Sequence, residues 1–321
     1  MNYSKAWRFD RFGEPSVMRL VELPRPTPGP GEVLIRVLVS GINPSDVKNV
    51  AGHFKSTLPR VPGRDFAGVI VGGAPDCDGA AVWGSGPGFG VTRDGVHREY
   101  ITMPREWVAR RPRTLTAEVA AAVGVPWLAA WTALVTAGQL RAGETVLITG
   151  VSGAVGNAAT QIAHRYGARV IGAGRSAANP SGADAVIDTI RHDLAAEARA
   201  LTEGRGVDLV LDAVGGPLFE PCLRSLRKGG RQIAIASNPQ GVSFNLVDFY
   251  HNLGHLAGVD TMSLTGIEIA SILARLADGF ESGSYRPPRI QAWPFARAVD
   301  AYDAVLASKA PIKHVLRMAP G

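Results

Sequence analysis

Three glycines at equal spacing carry the strongest chemical signal in the chain. They sit in Glu144-Thr145-Val146-Leu147-Ile148-Thr149-Gly150-Val151-Ser152-Gly153-Ala154-Val155-Gly156. An apolar run that reads as a strand enters a turn, and a helix rich in Ala, Gln and Ile follows. Gly150 permits the tight turn, Gly153 lets backbone approach a pyrophosphate, and Gly156 lets the helix pack against the strand. The helix N-terminus then offers unpaired N–H groups and a partial positive charge to phosphate. The spacing is GxxGxxG rather than GxGxxG, but strand, helix and next strand fall where a βαβ unit requires them. It lacks the GxxxxGK lysine, which excludes an NTPase P-loop.

The end of the second strand selects the dinucleotide. A site for NAD places Asp or Glu about twenty residues past the glycines to hold the ribose 2′-hydroxyl. This chain has Ile171-Gly172-Ala173-Gly174-Arg175-Ser176 there, without an acid. Small residues make room, and Arg175 with Ser176 can hold a 2′-phosphate through charge-assisted hydrogen bonds. The expected cofactor is NADPH.

The elements that must position these residues differ along the chain. The first ~115 residues read as β, with runs such as Glu32–Val39 and Phe66–Val71 between turn signals. From Glu144 onward, strands (Thr145–Thr149, Arg169–Ala173, Ala185–Asp188, Val207–Asp212, Arg231–Ala236) alternate with helices (Gly156–Tyr166, Arg191–Thr202, Leu218–Arg227). Such alternation argues for a parallel sheet covered on both faces. Phe295–Ser308 reads as a helix and Ile312–Met318 as a strand. The fold class expected is α/β, and no internal repeat is visible.

Composition removes other classes. Cys77 and Cys222 stand far apart, so neither a disulfide framework nor a cysteine-rich zinc site can form, and a reducing compartment is expected as the simplest case. The net charge of +6 comes from 34 basic and 28 acidic residues, and the arginines are scattered. That balance suits an anionic ligand and gives no nucleic-acid patch. The N-terminal residues lack the apolar core of a signal peptide, and a cytoplasmic location is expected. Val119 to Gly138 is uncharged but mostly Ala, Gly and Thr, with Pro126 inside it. It is read as a buried segment joining two domains, so no membrane association is expected.

Taken in order, several blocks resemble the medium-chain dehydrogenase/reductase superfamily, in particular its zinc-free quinone oxidoreductase branch. They are Pro24–Ile35, Gly41-Ile42-Asn43-Pro44-Ser45-Asp46, Val61–Gly68, Trp131–Leu134, the glycine loop, Asp212-Ala213-Val214-Gly215-Gly216 and Pro311–Leu316. The resemblance implies a GroES-like β domain built from both chain ends (1–118 and 285–321) and a Rossmann doubly wound parallel sheet (119–284). It also implies a cofactor in the cleft between them. Zinc-dependent members carry a ligating Cys where this chain has Asn43, and a His-Glu pair where it has Arg64-Asp65. Without thiolate and imidazole a tetrahedral zinc site cannot be built, and no metal is expected.

In this branch NADPH delivers hydride to a quinone or to the β-carbon of an α,β-unsaturated carbonyl compound. The resemblance places Asn43 near the nicotinamide and Thr132 beside it. It places Ser152, Gly153, Ala154 and Val155 at the pyrophosphate, with Val214 and Ser237 after the fourth and fifth strands. Lys313 is expected to reach the cofactor from the C-terminal strand. Lys48 stands near where relatives place a Tyr, and Asn43 with Lys48 forms the candidate catalytic pair. Ala177-Ala178-Asn179-Pro180 supplies none of the lysines that usually follow the 2′-phosphate residues. Asp46 is either a proton donor or the acid that caps the next turn. His251 and His255 have i, i+4 spacing, but no Glu lies between them, which argues against a zincin-type site.

Three functions remain from different classes: an NADPH-dependent quinone or enone reductase, an enoyl-thioester (acryloyl-CoA-like) reductase, and a non-catalytic NADPH-binding protein. A homodimer is expected through Leu253–Val259, an apolar last strand at the sheet edge.

Overall fold

The computed structural model describes residues 3–176, 182–236, 241–308 and 312–319. It divides into two compact units, Met1–Val125 with Met262–Gly321, and Pro126–Thr261.

In chain order the first unit begins with β1 (Tyr3–Phe9), β2 (Met18–Pro24), β3 (Glu32–Ile42), α1 (Pro44–Val50) and β4 (Asp65–Gly72). It continues through β5 (Ala81–Ser85), β6 (Tyr100–Pro104), β7 (Ala109–Arg110) and α2 (Ala117–Ala120). The helix α3 (Gly124–Trp131) carries the chain into the second unit. Pro126 sits in its first turn, where a missing N–H costs no helical hydrogen bond.

The second unit contains β8 (Thr145–Thr149), α4 (Ala154–Arg165), β9 (Arg169–Gly174), β10 (Ala185–Asp188), α5 (Leu194–Ala200) and β11 (Val207–Asp212). Next come α6 (Phe219–Ser225), β12 (Leu226–Ala234), α7 (Leu246–His251) and β13 (His255–Gly258). The chain then returns to the first unit with α8 (Gly266–Glu281), β14 (Ile290–Pro294), α9 (Ala298–Ala307) and β15 (Lys313–Arg317).

In the second unit the described strands form one parallel sheet in the order β10-β9-β8-β11-β12-β13. Every residue of β8 and β11 is buried. Helices on both faces of a parallel sheet explain why these strands are continuous apolar runs rather than alternating ones. The order reverses between β8 and β11, so the loops at their carboxyl ends flank the switch point where such sheets bind ligands.

In the first unit the order is β14-β15-β3-β4-β5-β7, with β6 on β3 and a separate β1-β2 pair. The C-terminal strand runs antiparallel to β3 with His314 opposite Ile42, which brings Lys313 beside Asn43. Val33, Ile35, Phe66, Val82 and Met103 fill the core on one side. Ile42, Val47, Phe295, Tyr302 and Leu316 fill another.

The unit boundary differs from the expected 119–284. The helix α8 packs on β5, β7 and the turn Arg105–Trp107 of the first unit. Gly266 lies so close to Trp107 that a Cβ there would stand 2.1 Å from the indole. At its far end Glu281 accepts the Arg113 N–H, and Phe280 meets Trp83 edge-on. Amphipathic periodicity locates such a helix but does not say which sheet it covers.

No described helix is long and apolar enough to cross a membrane. The uncharged stretch from Val119 is instead broken into α2, α3 and a π-helical turn at Thr132–Ala137.

Candidate functional site

In the second unit the glycine loop has the geometry its spacing demands. Gly150 adopts φ +62°, a left-handed conformation that favours glycine. A Cβ on Gly156 would lie 2.5 Å from the Gly150 carbonyl oxygen and 2.6 Å from Val151 Cα, so no side chain fits. At Gly153 a Cβ would meet only the Gly150 oxygen, at 3.2 Å, and the space beyond is open. Gly153 caps α4, and Ser152 and Gly153 are exposed, with Ala154 and Val155 half-buried. The four residues expected at a pyrophosphate therefore form an accessible cradle at the start of a twelve-residue helix.

A buried carboxylate organises this cradle. Asp212 Oδ1 accepts hydrogen bonds from Thr149 Oγ1 (2.8 Å), the Val214 N–H (3.2 Å) and the Gly215 N–H (2.9 Å). Its Oδ2 accepts from Gln232 Nε2 at 3.3 Å, and Thr149 Oγ1 in turn accepts the Ala213 N–H at 2.9 Å. Asp212 thus ties the end of β8 to the loop after β11. Val214, 37% exposed, stands over the cradle, its methyl 3.2 Å from where a Gly150 Cβ would be. Sequence reading placed Val214 here but gave Asp212 no role. Its only signal was an acid at the end of an apolar strand before two glycines.

At the end of β9, a Cβ on Gly172 would stand 2.8 Å from the Val151 methyls, so the strand must stay small beside the loop. Arg175 and Ser176 follow, both exposed, and Arg175 forms no ion pair among the described residues. Thr132 is buried, and its hydroxyl has no hydrogen-bond partner among the described residues. It opens the π-helical turn, closed by the Gly138 N–H on the Ala133 carbonyl at 2.8 Å. Such turns recur at functional sites. An orphaned buried hydroxyl and an open glycine cradle are what a dinucleotide would satisfy. Ser237 lies outside the described residues.

In the first unit a compact polar cluster surrounds Asn43. Its Nδ2 donates to Asp65 Oδ2 at 2.8 Å, and its Oδ1 accepts from Lys313 Nζ at 2.5 Å. Lys313 Nζ also donates to the Ile42 carbonyl at 3.1 Å. Turning the amide over would set its NH₂ against an ammonium and its oxygen against a carboxylate, so the orientation is determined. These contacts use one of the two amide hydrogens of Asn43. Asp65 is held from the other side by the Val125 N–H at 3.0 and 3.1 Å. The close approach requires Gly124, where a Cβ would lie 2.1 Å from Asp65 Oδ1.

Asn43, Asp46, Asp65, Arg64 and Lys313 are all buried. Burial lowers the Lys313 pKa, with Asp65 and Asp46 opposing the shift and Arg64 adding to it. Asp46 Oδ2 accepts the Asn43 N–H at 2.7 Å and so caps α1. Burial, with Asp65 adding and Arg64 opposing, pushes its pKa up to about 6.

Of the residues expected at the site, Lys313 gives two of its donors to Asn43 and Ile42. Lys48 lies exposed on α1 and makes none of the hydrogen bonds of this cluster. A zinc ion does not fit this donor set. An amide locked by an ammonium, beside a guanidinium, offers neither thiolate nor imidazole to a dication. No three His, Cys, Asp or Glu side chains gather as ligands among the described residues.

Residues 29–113 match the alcohol dehydrogenase GroES-like domain family, and 154–277 match the zinc-binding dehydrogenase family. A zinc-type alcohol dehydrogenase-like protein of Schizosaccharomyces pombe is 34% identical over 290 residues, covering 88% of this chain and 86% of that protein. The quinone oxidoreductase of Sus scrofa is 30% identical over 316 residues, covering 95% and 94%. A mycobacterial protein solved in complex with NADPH superposes with a TM-score of 0.84 at 28% identity, covering 98% of this chain and 99% of the other.

Proposed function

Since the chain belongs to the medium-chain dehydrogenase/reductase superfamily, in its zinc-free quinone-oxidoreductase-like branch, we propose that it is an NADPH-dependent reductase of quinones or α,β-unsaturated carbonyl compounds. The observation that carries this reading is the Asn43 amide clamped between Lys313 and Asp65. Reduction of either substrate class leaves negative charge on an oxygen. A preorganised donor aimed at that oxygen is the main resource available without a metal. Lys313 at the amide oxygen draws electron density from the nitrogen, which makes the remaining N–H a stronger donor.

A nicotinamide bound by the second unit supplies the hydride. Ser152, Gly153, Ala154 and Val155 hold its pyrophosphate, Thr132 gives a hydroxyl, and Val214 covers the glycine turn. Arg175 and Ser176 hold the 2′-phosphate. Lys48, exposed on α1, is left to the rim of the substrate site.

Following NADPH absorbance with 1,2-naphthoquinone and with crotonyl-CoA tests the proposal. Turnover of the quinone is expected. Turnover of crotonyl-CoA alone would move the function to enoyl-thioester reduction, and binding of NADPH with no turnover of either would mark a non-catalytic binder. Arg175→Ala is expected to weaken NADPH by about 10- to 150-fold, the worth of a charged hydrogen bond of about 1.5–3 kcal/mol. NADH binding should stay nearly unchanged, and equal losses for both cofactors would remove Arg175 from the phosphate site.

The same reading includes a homodimer through β13. That strand is at the sheet edge, with Leu256 41% and the preceding Leu253 59% exposed. An unpaired apolar edge strand invites a partner strand. Light scattering at micromolar concentration should give twice the 33.8 kDa chain mass. A monomer mass would reject the dimer.

A further inference from the structure

We propose that the cavity where β3 passes from β6 to β15 is a binding site for a small oxyanion, a phosphate or a carboxylate, held by Arg36 and Arg25. The site lies wholly in the first unit, whereas the glycine cradle lies in the second, and it holds whether or not the protein oxidises NADPH.

The pairing of β3 explains why a cavity exists there. β6 lies along its first half, from Glu32 to Arg36, and β15 along its second, from Val39 to Ile42. At that changeover a cavity of about 630 Å³ opens, with Val37, Leu38 and Val39 in its lining. Its volume falls within the range of small-molecule sites, about 300–1,000 Å³. Arg36 and Tyr100 form the last pair on the β6 side, and Val39 and Arg317 the last on the β15 side. Both lips of the opening therefore carry an arginine.

The charged groups in the lining are Arg25, Arg36, Arg317, Glu99 and Glu118. Both acids are engaged. Glu118 pairs with Arg317 at 3.1 Å, and Glu99 Oε2 accepts the Lys5 N–H at 2.7 Å. Arg36 is half-buried; its Nε is buried without a hydrogen-bond partner, and its guanidinium forms no ion pair among the described residues. Nearly all buried polar groups find a partner, and a cation withdrawn from water gains most from a hydrogen-bonded anion. Arg25 is also half-buried without an ion pair among the described residues, and its guanidinium carbon lies 4.0 Å from the Tyr100 ring centroid. Tyr100 is the cross-strand partner of Arg36, and such partners stand about 4.5–5.5 Å apart at Cβ on one face of the sheet. One phenol ring thus brings both unpaired guanidinium groups to the same wall.

This arrangement selects the ligand. A guanidinium presents its N–H groups in a planar fork that fits two oxygens of a carboxylate or phosphate at once. A bound oxyanion gives Arg36 Nε its missing acceptor and supplies the counter-charge that Glu99, alone against two arginines, does not. A metal cation would meet surplus positive charge, and an uncharged ligand would leave both guanidinium groups without a counter-ion. Leu38 and Met318 in the lining give apolar surface to the carbon body of an organic acid or phosphate ester.

The test is the Arg36 Nε–H resonance in NMR spectra of the isotope-labelled full-length protein, assigned by its loss in Arg36→Gln. Inorganic phosphate and acetate are titrated separately, with sodium chloride at equal ionic strength as the reference. The resonance is expected to move saturably with phosphate, with acetate or with both, and the responding anion tells a phosphate site from a carboxylate site. Arg25→Gln should raise the midpoint of that titration about tenfold or more, the worth of a charge-assisted hydrogen bond. A second readout is the melting temperature, taken in an Arg175→Ala background so that phosphate at the cofactor site does not contribute. The responding anion should raise it, and adding Arg36→Gln should abolish the rise. Arg36 has no acid to lose, so Arg36→Gln should melt in chloride as its parent does; Arg36→Lys, which keeps the charge without Nε, replaces it if it does not. No saturable movement with either anion would overturn the site. So would an equal movement with chloride, a midpoint indifferent to Arg25→Gln, or a stabilisation that survives the loss of Arg36. None of these readouts uses NADPH oxidation, so their failure leaves the reductase reading untouched.

Discussion

Replacing Asn43 with Ala is expected to slow hydride transfer by about tenfold or more while the NADPH dissociation constant changes little. A donor placed for a developing oxyanion is worth about 2.7–4 kcal/mol when removed. One that merely holds the cofactor shows up as weaker binding instead. The backbone of Asn43, not its side chain, receives the capping carboxyl of Asp46. The Ala variant therefore keeps the Asp46 carboxyl on the Asn43 N–H and loses the side-chain half of the capping box together with the bridge between Asp65 and Lys313. Stopped-flow single turnover alongside a melting curve separates the effects. A normal hydride-transfer rate with a lowered melting temperature would reduce Asn43 to a structural link.

The second large effect is expected at Asp212. Its carboxylate accepts from the Thr149 hydroxyl, the Val214 and Gly215 N–H groups and the Gln232 amide, all inside the second unit. Hydrogen bonds to charged groups are worth about 1.5–3 kcal/mol each, and orphaned buried donors add a further cost. Asp212→Ala is therefore expected to destabilise the protein by about 3 kcal/mol or more. NADPH should also bind more weakly, because the loop carrying Val214 is no longer tied to the strand that enters the glycine turn. Asp212→Asn keeps one oxygen for the three donors on Oδ1 and should lose about half as much. Urea unfolding and NADPH titration measure the two effects, and an unchanged unfolding midpoint in Asp212→Ala would contradict the role given to this residue.

The outcome at each position follows from the range of the interactions that set it. The strand–glycine–helix pattern at Thr145–Arg165 was legible because each requirement is local: a buried run, a left-handed turn at Gly150 and a contact that excludes any side chain at Gly156. Replacement of the zinc-ligand residue types by Asn43 and Arg64-Asp65 was legible too, since donor chemistry belongs to the side chain wherever it lies. The boundaries of α4 and β12 moved by a few residues, because caps and edge pairing decide where an element stops. Arg175 could be named from the missing acid at the end of β9, although its 2′-phosphate partner is an expectation of charge and not of geometry.

Tertiary structure alone decided the rest. Lys313 is 270 residues from Asn43 in the chain, and only the antiparallel register of β15 on β3 makes them neighbours. That register makes Lys313 a clamp on the Asn43 amide. The separation of Lys48 from this cluster follows from the rotation of α1, which buries Asp46, Val47 and Asn49 and leaves Lys48 in solvent. The assignment of α8 to the first unit, the hub at Asp212 and the cavity between β6 and β15 likewise depend on which surfaces meet. Residue types and spacing determined the turn, the helix start, the likeness to a dinucleotide site and the lack of zinc ligands, because those properties are set within a few residues. Burial, pairing and the protonation states that follow from them are set by long-range contacts, and a linear reading holds no measure of those.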